Sequence, residues 1–272
     1  MKRPYFSFLL CVNKDEGFLN DALESIINQD YSYEYEIIVI ANNCDDNLWA
    51  YLNSVESDKL KIHRTNIGQL AFNLNYGANI ARGEYIVRMD ADDVSTPNRL
   101  KILEAAIQEN NYPDVIGTSV YFISETGRII KKYVPPLGEV KSALIKNPFV
   151  HPTVAIKKVS LFKIGGYLGG FQSEDNDLWI RMLRAHEFKL VNIDSVTLFY
   201  RINDHQTRGR VLPYAEVASY ALREFLLKKE NKIFCGASYQ YWKGAYTSKK
   251  IRYETYENNA YGIKYIYCKE VC

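Results

Sequence analysis

Apolar residues in the first 90 positions of this chain follow two alternating patterns. Segments 5–12 and 36–41 are almost wholly apolar, as parallel strands buried on both faces are. In segment 17–29 the apolar residues recur at intervals of three and four, which places them on one face of a helix. The same patterns predict further strands at 60–64 and 84–89 and further helices at 47–55 and 70–81. These alternations predict an α/β fold with a largely parallel sheet and helices on both faces.

The pattern becomes less regular after residue 95, and there it predicts a mixed sheet. Strands at 114–124 and 129–134 flank a short turn, which is typical of a hairpin. The other predicted elements are helices at 98–110, 159–164 and 173–186, a strand entered at 151–154 and a strand at 189–200. We expect one domain over residues 1–210, with its two halves meeting near residue 95, and a C-terminal extension over 211–272.

Polar residues follow three of the predicted parallel strands, in segments 13–16, 42–45 and 90–93. Ligands of open α/β sheets bind at the carboxyl ends of strands, so these segments could converge on one crevice. No Gly-x-Gly-x-x-Gly follows the first strand, and no Walker loop occurs. Dinucleotide-binding and ordinary P-loop proteins are therefore excluded.

Asp90, Asp92 and Asp93 stand directly after an apolar strand. Because side chains alternate along a strand, Asp90 and Asp92 are expected to point the same way and could share one cation. Oxygen ligands suit Mg²⁺ or Mn²⁺ better than zinc. The structural alternative is an acidic turn before a helix, since Thr96-Pro97 is typical of a helix start.

A second acidic group opens the helix predicted at 173–186, and it comprises Glu174, Asp175 and Asp177. Acidic residues in a first turn stabilise the helix dipole, and Ser173 is a suitable N-cap. A purely structural role therefore stays open beside a chemical one. His205 has functional meaning only if the fold brings it to the aspartates at 90–93.

Composition narrows the class of protein. Hydrophobic residues make up 47% and charged residues 24% of the 272 positions, which is ordinary for a globular protein. The net charge of +2 gives no reason to expect a nucleic-acid partner. The five cysteines form no Cys-x-x-Cys pair, which indicates a reducing compartment rather than a disulfide framework or a zinc site. No apolar run reaches about 18 residues, and the run at 5–12 is too short for a signal peptide, so we expect a cytoplasmic protein.

The C-terminal extension is basic and rich in tyrosine. Residues 223–270 hold ten Lys or Arg and five Asp or Glu, a net charge of +5. We expect this extension to be mainly helical. Two interpretations stay open: peripheral contact with the anionic inner face of the cell membrane, or a solvated helical hairpin packed on the domain.

Five motifs occur in order along the chain. They are Asn66-Ile67-Gly68 with Asn75-Tyr76-Gly77, Arg88-Met89-Asp90-Ala91-Asp92-Asp93, His151-Pro152-Thr153, Glu174-Asp175-Asn176-Asp177-Leu178-Trp179, and Tyr200-Arg201 with His205. Together, over about residues 5–210, they resemble the family 2 glycosyltransferases, inverting enzymes with the GT-A fold. That fold is a Rossmann-like mixed sheet flanked by helices.

The resemblance implies transfer of a sugar from a nucleotide-sugar, with a UDP-hexose as the expected donor. The implied acceptor is a hydroxyl of a glycan or lipid-linked glycan in bacterial surface polysaccharide or lipopolysaccharide synthesis, such as O-antigen or capsule. Residues 1–95 would bind the nucleotide and residues 96–210 the acceptor. The family carries Asp-Asp or Asp-Asn where this chain has Ala41-Asn42, and an Asn oxygen can still accept the uracil N–H as a neutral, weaker partner.

The resemblance also implies the roles of individual residues. Asp175 would be the general base, and Asp92, together with His205, would hold Mn²⁺ or Mg²⁺. Asp93 would fix the loop or touch the sugar. The implied acceptor-binding residues are Glu174, Asp177 and Trp179. The implied nucleotide-sugar-binding residues are Val12, Lys14, Glu16, Asn42, Asn66, Gln69, Asn73, Asp90, Ala91 and Asp92.

Three other functions compete with this one. Asp90-Ala91-Asp92-Asp93-Val94 fits a haloacid-dehalogenase phosphohydrolase, but that family places its motif on the first strand. A nucleotidyltransferase would need a glycine-rich loop after the first strand, where this chain has none before Gly17. A noncatalytic carbohydrate-binding protein is the alternative from outside the enzymes, and the retained carboxylates disfavour it.

Overall fold

The computed structural model describes residues 4–141, 143, 147–168 and 173–203, and the backbone of two strands at 251–258 and 263–270. His205, residues 169–172 and most of the C-terminal extension lie outside the described residues. Within the described residues, no helix is both long enough and apolar enough to cross a bilayer.

Four parallel strands form the first half of a ten-stranded sheet, in the order β3-β2-β1-β4. They are β1 (Phe6–Val12), β2 (Tyr35–Asn42), β3 (Leu60–Thr65) and β4 (Tyr85–Met89). Between them run α1 (Leu19–Ile27), α2 (Asp46–Ser54) and α3 (Leu70–Ile80). The strand–helix alternation predicted for this half is confirmed.

The second half of the sheet is mixed, as predicted. Its strands are β5 (Val94–Ser95), β6 (Val115–Ile123), β7 (Ile129–Tyr133), β8 (Gly138–Glu139), β9 (Ala155–Lys157) and β10 (Leu190–Arg201). Its helices are α4 (Arg99–Glu109), α5 (Lys158–Lys163) and α6 (Glu174–Arg184), with a 3-10 turn at His151–Thr153. Strand β9 runs antiparallel between β4 and β6, and β10 runs parallel to β6. The short strands β5 and β8 had no signal in the sequence, because two residues carry no periodicity.

Helices cover both faces of the sheet, which explains why β1 is apolar at nearly every position. Phe6, Phe8 and Leu10 face the layer formed by α1, α2 and α4, whereas Leu9 and Cys11 face the layer of α3, α5 and α6. Each face of a buried strand needs apolar side chains, so the period of two disappears from the sequence.

The described part of the C-terminal extension differs from the predicted helical structure. Strands β11 (Ile251–Asn258) and β12 (Ile263–Glu270) pair in antiparallel register. Both segments are rich in isoleucine and tyrosine, which favour extended backbone. The prediction gave too little weight to this β-forming composition.

Candidate active site

The carboxyl ends of six strands lie along one edge of the sheet. Strands β1 to β4 are parallel, and the antiparallel strand β9 between β4 and β6 makes β6 and β10 point the same way as β4. The polar segments after β1, β2 and β4 therefore share this edge, as the sequence predicted. Because β9 is antiparallel, the 3-10 turn that precedes it starts at the same edge.

The aspartates at 90–93 occupy a turn rather than the end of a strand. Strand β4 ends at Met89, and Ala91 and Asp92 form the turn. The argument from strand alternation therefore does not apply to Asp90 and Asp92, because both follow the last residue of the strand. Backbone turn geometry places them, and the side chains differ in their partners.

Asp93 is the structural member of the group. Its side chain is 1% exposed, and its Oδ1 accepts a hydrogen bond of 2.8 Å from the backbone N–H of Arg201. Burial, with the nearby charges of Asp90 and Asp92, raises the pKa of Asp93 well above its ordinary value. Of the two roles that the sequence left open for it, this geometry supports fixing the loop.

Arg201 ties the turn to the rest of the edge. Its Nε donates to the Asp92 carbonyl at 2.8 Å and its Nη1 to the Glu125 carbonyl at 2.6 Å. Its Nη2 forms a 3.2 Å ion pair with Asp21 on α1. The last residue of β10 thus fixes the aspartate turn against α1 and the β6–β7 hairpin.

Arg88 is a buried cation beneath the turn, and its side chain is 2% exposed. Its Nη2 donates to Asp90 Oδ1 at 2.5 Å. Burial alone would lower the pKa of this guanidinium, but the Asp90 carboxylate outweighs it and the pKa is raised. A charged residue inside an apolar strand is the signal that could have marked Arg88, because a buried charge requires a partner.

The N-terminus of α6 brings two further carboxylates to this edge. Asp175 Oδ2 accepts from Asn147 Nδ2 at 2.5 Å, and Asp175 Oδ1 accepts from the backbone N–H of Asn176 at 2.8 Å. Ser173 occupies the N-cap position, but its hydroxyl makes no capping hydrogen bond. Of the two structural roles that the sequence offered for this segment, N-capping by Ser173 is absent, and only stabilisation of the helix dipole by the acidic residues remains. Nothing in the sequence marked Asn147.

Electrostatic effects connect Glu174 and Asp175 to the aspartate turn. Burial and then the Asp175 charge raise the pKa of Glu174 to about 8, with Arg88 opposing the shift and Asp90 adding to it. Burial also raises the pKa of Asp175, against its two hydrogen bonds and Arg88. Because Asp175 receives two N–H donors and is partly exposed, we assign the negative charge to Asp175 and the proton to Glu174.

His151 and Tyr167 line the same region, and the sequence had assigned no role to Tyr167. His151 Nε2 lies 3.0 Å from the Tyr167 hydroxyl. Asn75 holds the Tyr167 backbone through two hydrogen bonds, to its carbonyl at 2.7 Å and from its N–H at 2.9 Å. Burial and then Arg88 lower the pKa of His151, so the imidazole is neutral at pH 7.

Asp177 and Trp179 were expected to contact the acceptor, but the structure buries both. Asp177 Oδ2 accepts from Arg181 Nε at 2.8 Å, and Arg181 also donates to the Gly166 carbonyl. Trp179 is fully buried, with its ring centroid 4.9 Å from that of Phe149. In this conformation, both side chains pack behind the residues that line the site and do not line it themselves.

The residues expected to bind the nucleotide fall into two groups. Asn73 is fully buried: Oδ1 accepts from Thr65 at 2.6 Å, and Nδ2 donates to the carbonyls of Ile67 and Gln69. Gln69 Oε1 caps α3 by accepting from Phe72 N–H at 2.5 Å. In this structure, both side chains therefore shape the loop after β3. Asn66, Lys14 and Glu16 are exposed at the edge, Val12 and Asn42 are buried at their strand ends, and Ala91 lies in the aspartate turn.

The donor set of the aspartate turn fits a hard divalent cation. The Asp90 side chain is 34% exposed, and Asp92 Oδ2 accepts a 3.1 Å hydrogen bond from Asn203. Within the described residues, no three His, Cys, Asp or Glu side chains cluster closely enough to hold a metal alone. Mg²⁺ is commonly held by one or two carboxylates together with substrate phosphates, and the turn supplies that number. The expected ligand His205 lies outside the described residues.

A separate open cleft of about 660 Å³ lies between α1 and the β6–β7 hairpin. Its lining includes Asp21, Glu24 and Glu125. These carboxylates would repel a nucleotide diphosphate, so this cleft does not fit the donor.

Comparison with known proteins decides the family. The family model described as "Glycosyl transferase family 2" matches residues 7–173. The chain belongs to this family, and it is a glycosyltransferase. Family membership decides among the alternatives left open by the sequence in favour of glycosyl transfer.

Two relatives from Escherichia coli are informative. This glycosyltransferase is 38% identical over 244 residues to the O-antigen biosynthesis glycosyltransferase WbnJ, covering 87% of this chain and 95% of the relative. It is 29% identical over 220 residues to the UDP-Gal:alpha-D-GlcNAc-diphosphoundecaprenol beta-1,3-galactosyltransferase, covering 76% of this chain and 78% of that one.

The solved structure of S. aureus TarS 1-349 in complex with UDP-GlcNAc has the same fold. The TM-score is 0.65 at 18% sequence identity, over 81% of this chain and 66% of the TarS chain. The predicted GT-A fold is confirmed.

Proposed function

We propose that this glycosyltransferase transfers a hexose from a UDP-sugar to a hydroxyl of a lipid-linked glycan during bacterial surface polysaccharide synthesis. The main observation behind the proposal is that two sets of carboxylate side chains lie at the same edge of the sheet. The turn at 90–93 and the pair Glu174–Asp175 come from opposite halves of the chain, and Arg88 interacts electrostatically with both. The names of the two E. coli relatives, an O-antigen biosynthesis glycosyltransferase and a galactosyltransferase, support the substrate classes.

The aspartate turn serves the donor in this proposal. A divalent cation, when bound, neutralises the charge that develops on the diphosphate leaving group. Asp92 would hold it, and Asp90, fixed by Arg88, would orient the ribose or help hold the cation through water. Asn42, at the end of β2, would accept the uracil N–H.

Asp175 serves the acceptor. An acceptor hydroxyl has a high pKa, so it needs a base at the face of the anomeric carbon opposite the leaving group. Asn147 holds the Asp175 carboxylate by a 2.5 Å hydrogen bond, and burial makes Asp175 a stronger base. The protonated neighbour Glu174 adds no second negative charge and can donate a hydrogen bond to the acceptor. Attack by the hydroxyl then displaces the diphosphate in one step and inverts the anomeric configuration.

The first test measures nucleotide binding. The melting temperature is recorded with UDP, GDP, dTDP and CMP, each with Mn²⁺ or with EDTA. We expect a Mn²⁺-dependent rise with UDP, because a ligand that binds only the native state stabilises it. The rise should vanish in Asp92→Asn and persist in Asp58→Asn, which removes an exposed carboxylate from the opposite edge of the sheet. A rise with GDP alone would overturn the UDP assignment.

The second test determines the stereochemistry. The product of transfer from an α-linked UDP-hexose is examined by the proton coupling constant at its anomeric carbon. A β-linked product is the expected result, and an α-linked product would contradict the single displacement and the role of Asp175 as base.

A further inference from the structure

A run of exposed apolar residues lies on and after strand β7. Seven large apolar side chains stand out as exposed in the described part of the chain, and four of them fall within nine residues. They are Ile129 at 53%, Ile130 at 50%, Val134 at 39% and Leu137 at 53%. Val134 and Leu137 lie toward the far end of β7, since Tyr133 pairs with Val120 and Gly138 with Asn192 near the start of β10. We call Ile129 and Ile130, together with Arg128 and Lys131, the β7 patch. The other three of the seven, Tyr33, Tyr112 and Val159, are separate from one another along the chain.

A β-bulge produces the adjacent pair of isoleucines. Ile129 pairs with Ile123 and Lys131 with Phe122, so Ile130 is an extra residue in β7. A β-bulge locally disrupts the pairing and changes the direction in which the side chains at the bulge point. Two β-branched apolar side chains therefore stand half-exposed at the start of an outer strand.

The charges of the β7 patch are positive and available. Lys132 forms a 2.7 Å ion pair with Asp194. Among the described residues, neither Arg128 nor Lys131 takes part in an ion pair; the Lys131 ammonium lies 5.5 Å from the centroid of the Phe122 ring. Apolar side chains flanked by cations that are not ion-paired suit a surface with an apolar interior and anionic headgroups.

The same residues argue against a second copy of the chain as the partner. Strand β7 pairs only with β6 among the described strands, so its other edge could accept a strand. Two successive lysines on that edge would face like charges in an identical strand, which is how natural sheets prevent edge-to-edge pairing.

The β7 patch is connected to the candidate active site through Arg201. The turn before β7 leaves the sheet at the carboxyl end of β6, the edge that carries the aspartates at 90–93. Arg201 bonds to the Glu125 carbonyl in this turn and to the Asp92 carbonyl in the aspartate turn.

We propose that the β7 patch docks this glycosyltransferase on an anionic phospholipid surface, with the isoleucines inserted among the headgroups and Arg128 and Lys131 at the phosphates. Docking there holds the carboxyl edge of the sheet close to the bilayer, where a lipid-linked acceptor presents its hydroxyl. The surface assignment goes beyond the proposed function and rests on that function only for the location of the acceptor.

The test is sedimentation of the full-length protein with vesicles of phosphatidylethanolamine and phosphatidylglycerol, compared with vesicles of phosphatidylcholine. Ile129→Thr/Ile130→Thr keeps β-branching and removes apolar area, so we expect partitioning onto the anionic vesicles to fall roughly tenfold. Lys131→Glu should reduce it at least about fivefold. Val159→Thr, at a side chain that is 66% exposed on α5, is the matched control and should leave partitioning unchanged.

Three outcomes would overturn the proposal. One is equal sedimentation of the wild type and the isoleucine variant, which would leave the basic C-terminal extension as the membrane contact. Another is equal binding to phosphatidylcholine, and the third is a concentration-dependent dimer that the isoleucine variant abolishes. Sedimentation needs no turnover, so it is independent of the proposed reaction. Transfer to a water-soluble acceptor should be unchanged in the isoleucine variant, which shows that the fold and the site are intact.

Discussion

Strands β1, β2 and β4 are buried along their whole length, whereas β7 and β8 are exposed at all but one position. The first group belongs to the half of the domain expected to bind the nucleotide, and the second to the half expected to bind the acceptor. In a parallel sheet covered on both faces, apolar packing on both sides holds each strand. Polar contacts then shape the loops, such as Thr65 to Asn73 in the nucleotide half and Asn147 to Asp175 in the acceptor half. We expect acceptor specificity to reside in the more exposed second half.

The largest expected effect separates chemistry from binding. Asp175→Asn keeps the size of the side chain and removes the base, so the turnover rate should fall about a thousandfold while UDP affinity stays within about twofold. Steady-state kinetics and titration calorimetry measure the two quantities. If the variant kept more than a tenth of the rate, another residue would be the base. A loss of UDP affinity would show that Asp175 contacts the donor rather than the acceptor.

The next effect is a pH dependence that arises from Glu174 in the acceptor half. The folded-state pKa of Glu174 is raised to about 8, so between its ordinary value near 4.5 and pH 8 the folded protein binds more protons than the unfolded chain. Stability from this group is therefore complete at low pH and is lost as pH rises. Glu174→Gln should flatten the dependence, gaining up to about 2 kcal/mol relative to wild type between pH 5.5 and 7.5.

Urea unfolding at the two pH values provides the measurement for Glu174→Gln. Glu84→Gln, at an exposed position before β4, is the control and should leave the wild-type slope in place. An unchanged slope in Glu174→Gln would show that Glu174 is ionised in the folded protein.

A third effect, of similar size, tests the tight packing of the nucleotide half. A Cβ at Gly77 on α3 would lie 2.2 Å from Leu9 Cδ1 and 3.2 Å from Ile40 Cγ1. Gly77→Ala should therefore lower the free energy of unfolding by about 1–3 kcal/mol, although alanine ordinarily favours a helix. In the acceptor half, Gly127 has a φ of +80° with open space around it, so Gly127→Ala should cost only its backbone strain, about 1–2 kcal/mol.

Denaturant unfolding of both glycine variants measures this difference directly. If Gly77→Ala were stabilising, α3 would not be held against β1 and β2 as closely as the structure has it. The comparison between the two halves would then lose its physical basis.

The smallest effect concerns Gln69. Its Oε1 caps α3, so Gln69→Ala should cost about 1 kcal/mol of stability. If its role is only structural, the KM for the nucleotide-sugar should stay near the wild-type value. A rise in KM larger than the loss of stability explains would return Gln69 to the donor contacts implied by the family resemblance.

Much of the site was predictable at the level of segments and less so at the level of side chains. The polar segments after β1, β2 and β4 could be placed at one edge because parallel strands end together. From the sequence alone, side chains that face the site could not be distinguished from the buried side chains of Asp177, Asn73 and Trp179. Their burial depends on partners such as Arg181, Ile67 and Phe149 and on the packing of helices against the sheet.

The sequence by itself determined the order of strands and helices, because wholly apolar runs and helical spacing are local properties, and it determined the family through five motifs in order. Only the tertiary structure decided which carboxylates are paired and which are available. Asp93 meets Arg201 across 108 residues, and Asp175 meets Asn147 across 28. Such contacts depend on the crossover that places β9 between β4 and β6, and no local pattern encodes it. The same holds for the β7 patch, since isoleucines in a strand are ordinarily core residues and only the finished sheet leaves these two uncovered.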